Sequence, residues 1–186
     1  MQTTQGVRVR WLGFLGTARV TLKLDLDFGD QVVPDSVGLA YPVVLSDFPA
    51  PEILGYSRES VIAEKFHAMV RLGPLTSRMN DFFDLWLLAR EYDFEGRILA
   101  EAISMTFATR HTAVPAHPAI FDTEFSTYPG KAEQWRTFLR RNRIEGAPSN
   151  FADVTAYVSG FLLPVAIALS QRHSFERRWN AAGPWR

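Results

Sequence analysis

An α+β fold is predicted by three features: a strand-like alternation at the N-terminus, a proline-rich stretch after it, and an almost wholly helical remainder. The chain of 186 residues is long enough to bury a real core. Its expected organisation is a small partial sheet with a connector over residues 1–56 and a helical bundle over 57–186.

"VRVRWL" begins the first strand at Val7, and "GFLGT" supplies a glycine-rich break before "ARVTLKLDLDF". There Val20, Leu22, Leu24 and Leu26 alternate with Thr21, Lys23, Asp25 and Asp27, so one face is apolar and the other polar. An isolated hairpin is marginal in water, which leaves it needing a packing partner or an edge neighbour. Residues 29–56, with Pro34, Pro42, Pro49 and Pro51, are expected as an irregular connector holding at most a short strand.

Ser57 is placed to cap a helix over 58–72, ended by Gly73 and Pro74. Ser77 is placed to cap a second helix running to about residue 90, and further helices are expected near 95–110, 130–142 and 150–180, the last bent at Pro164. Residues 111–122, "HTAVPAHPAIFD", read as a loop. The run 151–170 is apolar but carries Asp153 and Pro164, which favours a buried helix over a membrane span.

Twenty basic and twenty acidic side chains cancel, so no global field favours nucleic acid or an anionic membrane. There is no cysteine, which excludes disulfides, thiolate metal sites and a cysteine nucleophile. The four histidines show no metal-ligand spacing. The opening residues lack the apolar run of a secretory signal, so a cytoplasmic location is expected.

The stretch "ESVIAEKFHAMVRLGPLTSRMNDFFDLWLLAR", residues 59–90, sets Lys65, Asp81 and Asp84 among large apolar side chains. Lysine is a minority choice here, since only Lys23, Lys65 and Lys131 accompany seventeen arginines. Asp81 and Asp84 share a helix face, and an ionised carboxylate in such a setting needs a cation, with Lys65, Arg78 and Arg71 in reach. Two readings stand: a structural ion pair between adjacent helices, or a cation site for phosphate in which a carboxylate orients the lysine. Asp25 and Asp27, two apart on a strand, point the same way, as a solvated edge or as a Mg2+-binding pair.

"YSRESVIAEKFHAMVRLG", "SRMNDFFDLWLLAR", "ILAEAISMTFATR", "QWRTFLRR" and "FLLPV", in that order, resemble the AbiEii/AbiGii-type nucleotidyltransferase toxin family of type IV toxin–antitoxin and phage-defence systems. The resemblance implies a nucleotidyltransferase sheet joined to a helical bundle. It also implies nucleotide transfer from a nucleoside triphosphate, in related toxins to tRNA ends, with Mg2+ bridging the phosphates. By position, Lys65 resembles the lysine that contacts the triphosphate, and Asp81 the carboxylate that follows it. Arg78 and Asp84 flank these as nucleotide-binding residues. "LKLDLDFGD" resembles the strand with a metal carboxylate, which places catalytic and metal roles on Asp25, with Asp30 in the "F-G-D"; Asp27 stands where the family more often has a small residue, and its metal role rests on the strand face it shares with Asp25.

The first motif of the family, a glycine turn, a helix and a strand with paired aspartates, has no counterpart. "GTARVTLKLDLD" imitates it but alternates as a strand. The expectation is therefore a chain spanning the C-terminal two-thirds of a family member, poor at nucleotide transfer by itself. Asn80 and Phe83 stand where the resemblance expects lysine and tyrosine. The alternative is a non-catalytic helical module that binds an antitoxin or other protein, with the open hairpin edge offering a homodimer contact.

Overall fold

A computed structural model describes residues 6–26 and 33–186, and the chain divides into two compact units, Met1–Gln31 and Val32–Arg186. In the first unit, β1 (Val7–Leu15) and β2 (Ala18–Leu26) form an antiparallel hairpin about Gly16 and Thr17. Gly16 takes φ +59°, a left-handed turn value that a side chain would resist. Pairing of Val7 with Leu26, Val9 with Leu24 and Trp11 with Leu22 puts these six apolar residues on one face. Arg8 and Asp25, Arg10 and Lys23, and Phe14 and Arg19 face the other way. All residues of both strands are exposed except half-buried Gly13.

The second unit opens with β3 (Val37–Ala40) and β4 (Glu52–Gly55), antiparallel, where at most one short strand was expected. Pro42, Pro49 and Pro51 lie in the intervening loop and outside the paired residues, so the prolines that argued against strands leave the ladder intact. Tyr41 N–H donates to the Pro51 carbonyl at 2.9 Å and closes that loop.

Helix α1 (Arg58–Leu72) starts as anticipated, with Ser57 Oγ accepting from Ser60 N–H at 3.1 Å, and it stops at Gly73. A 3-10 turn, Gly73–Leu75, leads to α2 (Met79–Glu91). Ser77 does not cap α2 with its side chain. Thr76 Oγ1 instead accepts from Arg78 N–H at 3.3 Å. The displaced cap follows from Thr76, which is buried, whereas Ser77 is exposed.

Beyond α2 come β5 (Phe94–Glu95), α3 (Gly96–Thr109), the short α4 (Thr123–Thr127), α5 (Lys131–Asn142) and α6 (Phe151–Ser170). α6 ends about ten residues before the expected point. The tail after it returns to pair β6 (Arg178–Trp179) with β5. Two tryptophans pin the tail: Trp179 Nε1 donates to the Ala89 carbonyl at 2.6 Å and Trp185 Nε1 to the Phe161 carbonyl at 2.8 Å. Gly96 is required where the tail crosses α3, because a Cβ there would meet the Arg177 carbonyl at 2.5 Å.

α1 packs on α3 and α2 on α6. Aromatic rings fill the space between: Phe82 lies 5.0 Å from Phe151, and Trp135 lies 5.7 Å from Phe151, ring centre to ring centre. By length and composition α6 could cross a membrane, yet Val154, Val158, Phe161, Leu162 and Val165 are fully buried, as a core helix requires.

Candidate functional site

The last turns of interest lie where α1 and the start of α2 run side by side. On α1, Lys65 is half-buried and precedes the fully buried Phe66, and its ammonium reaches the first turn of α2. On α2, Asp81 sits in the first turn, where the helix dipole favours a carboxylate. It has no solvent exposure, and Lys65 Nζ lies 3.2 Å from its Oδ1 and 2.7 Å from Asp84 Oδ2. Lys65 is 21% exposed and Asp84 38% exposed, so the Asp84 contact forms the outer side of the cluster.

Two further groups converge on Asp81. Asn80 Nδ2 donates to Oδ1 at 3.1 Å. Arg78 Nε lies 2.6 Å from Oδ2, but no N–H is aimed at that oxygen, which is buried without a hydrogen-bond donor. The contact is therefore charge pairing without a hydrogen bond, and it leaves Oδ2 sensitive to how Arg78 is placed. Of the two arginines in reach by sequence, Arg78 makes the contact. Asn80, which looked like a lost charge, keeps a hydrogen bond to the central carboxylate.

Burial opposes the charged form of Lys65, but the hydrogen bonds and charges of Asp84 and Asp81 outweigh it and raise its pKa above the ordinary lysine value. The lysine thus stays an ammonium at any physiological pH. Two cations and two carboxylates cancel, giving a neutral cluster with one fully buried acid and one half-buried acid.

Asp25 lies on the face of the hairpin that also carries Arg8, Arg10 and Lys23. Arg8 grips it in a fork, Nε to Oδ1 at 2.5 Å and Nη2 to Oδ2 at 3.0 Å. These hydrogen bonds hold the Asp25 carboxyl below its ordinary range. Asp27 and Asp30 lie outside the described residues. Among the described residues no three acids or histidines gather in a way that could hold a metal. Asp25 is engaged by a cation, and Asp81 and Asp84 by Lys65, so the described residues do not fit Mg2+.

The other candidates settle into structural roles. His67 is buried, with Nε2 3.0 Å from Thr112 Oγ1 and its ring against Phe107. Burial, with Arg110 and Arg71 nearby, lowers its pKa to about 4. Arg136 pairs with Glu133 at 2.7 Å, and Arg140, Arg141 and Arg143 are exposed at the end of α5, where the dipole favours cations. The buried ammonium of Lys131 was not anticipated. The rarity of lysine was its only signal in the sequence.

A family model, nucleotidyl transferase AbiEii toxin of the type IV toxin–antitoxin system, matches residues 2–157. Neither the curated proteins nor the solved structures yield a match.

Proposed function

The chain belongs to the AbiEii nucleotidyltransferase toxin family of type IV toxin–antitoxin systems, and from that premise we propose that Lys65 and Arg78 receive the triphosphate of a nucleoside triphosphate. The acceptor in this reading is RNA, with tRNA ends the first class to test, and the setting is the cytoplasm. The acceptor hydroxyl oxygen would bond to the α-phosphorus as the bond to pyrophosphate breaks, its proton passing to solvent, while Lys65 and Arg78 carry charge on the outer phosphates.

The observation that carries this reading is the division of labour between two acids on one lysine. Fully buried Asp81 stays in place as an anchor, while half-buried Asp84, open to solvent on its outer side, can give up Lys65 to an incoming phosphate. Arg78 meets Asp81 through Nε, which leaves both terminal nitrogens for a ligand.

Mg2+ belongs to the proposal as the ion with which a triphosphate arrives, and Asp25, with Asp27 beside it in the sequence, would serve it only after releasing Arg8. Weak transfer by this chain alone is part of the same reading.

Titrating the protein with a triphosphate in Mg2+, then repeating with Lys65→Met, tests the proposal. Binding lost in the variant is expected, and equal affinity of the two proteins would overturn it. Transfer of labelled nucleotide to bulk tRNA, with and without Asp25→Ala, tests the acceptor and the carboxylate.

Family membership implies an antitoxin partner. A second reading, a non-catalytic helical module that binds that partner, is favoured by one observation: the cluster is already neutral without a ligand. Co-purification with the antitoxin by a Lys65→Met protein that binds no nucleotide would favour it. Light scattering would show whether the hairpin edge makes a homodimer.

A further inference from the structure

Lys131 is 3% exposed, although it opens α5, where the helix dipole disfavours a cation. No carboxylate pairs with it among the described residues, and burial pushes its pKa below the ordinary lysine value. Its ammonium donates to the Thr76 carbonyl and lies 4.7 Å from the centre of the Phe125 ring. A methionine would fill the same space without the desolvation cost, so bulk alone does not explain a lysine here.

Thr76 is 1% exposed and uses every polar group it has. Its N–H donates to the Gly73 carbonyl at 3.0 Å, its Oγ1 accepts from Arg78 N–H at 3.3 Å, and its carbonyl takes the Lys131 ammonium. The turn from α1 to α2 is therefore held from the α5 side at the residue that orients the Arg78 backbone. Arg78 in turn faces Asp81 Oδ2, the buried oxygen without a donor, whose pairing depends on how that arginine is set.

We infer that Lys131 is a positioning residue for the cluster: its bond to the Thr76 carbonyl sets the α1–α2 turn so that Arg78 meets Asp81, which holds Lys65. Only the last step, from the cluster to a triphosphate, rests on the function proposed above.

Because the chain has three lysines, brief acylation followed by peptide mass spectrometry reads each of them, with exposed Lys23 as the internal reference. In the full-length Lys131→Met protein, with its circular dichroism unchanged, the Lys65-to-Lys23 labelling ratio is expected to rise several-fold. A loop anchor with no link to the site would lower the melting temperature and leave that ratio unchanged, which would overturn the inference. If Lys131→Met does not fold, Thr76→Val decides, since it removes only the hydroxyl that orients Arg78. A raised ratio supports the inference, and an unchanged one overturns it. Triphosphate affinity, measured in parallel, is expected to fall in Lys131→Met. Absence of binding by the unmodified protein would sink the proposed function alone, with the labelling ratio still deciding the role of Lys131.

Discussion

The hairpin and the α1–α2 junction each set an aspartate against basic side chains, and the two pairs behave differently. Asp25 has the shorter contacts, a two-pronged fork from Arg8, yet its side chain is 60% exposed. Asp81 has a longer contact to Lys65 but no exposure at all. Water and salt screen the first pair, whereas the second sits where an unpaired charge has no refuge. Burial outranks distance here, so the α1–α2 cluster is the pair that a substitution would disturb more.

Removing Asp81 should show the contrast most strongly. Asp81→Ala removes the buried acid and leaves Lys65 to Asp84 alone, and it is expected to cost about 2–3 kcal/mol, a fall in melting temperature of roughly 5–10 °C for a chain of this size. A loss as small as that of an exposed pair would remove the distinction between the two regions.

His67 extends the comparison to pH. Its folded pKa of about 4 lies below the ordinary 6.5, so the unfolded chain takes up the proton first. Stability present above pH 6.5 is therefore lost as pH falls towards 4, and His67→Gln should flatten that acid limb in melts taken across the range.

Trp179→Phe keeps most of the ring contact with Phe161 but removes the donor to the Ala89 carbonyl at the end of α2. A loss of about 1 kcal/mol is expected in denaturant unfolding, because the Ala182 N–H still reaches that carbonyl. The smallest effect belongs to the hairpin: Asp25→Ala should leave the melting temperature unchanged, in low salt and in high salt alike.

Local rules made several features readable in the chain. Ser57 caps α1 because its partner is three residues on, and the alternation from Val20 to Leu26 forms a strand because period two needs no distant partner. The paired cluster was readable in part. Lys65 and Asp81 stood out as charges in apolar runs, and Arg78 lies three residues from Asp81 on the same helix face. What escaped depends on contacts across long separations. The tail strand at Arg178 meets a partner at Glu95, and the paired strands around Pro42 to Pro51 are joined by a loop whose prolines masked them.

By itself, then, the chain determined the α+β class, the spans of α1, α3 and α5, the family, and the three charges that carry its candidate site, because these follow from periodicity, caps and spaced motifs. Only the tertiary structure decided which arginine meets Asp81, that Asp81 is sealed while Asp84 is only half-buried, and that Lys131 is buried against Thr76. Burial is a property of what folds over a residue from elsewhere in the chain, and no local pattern encodes it.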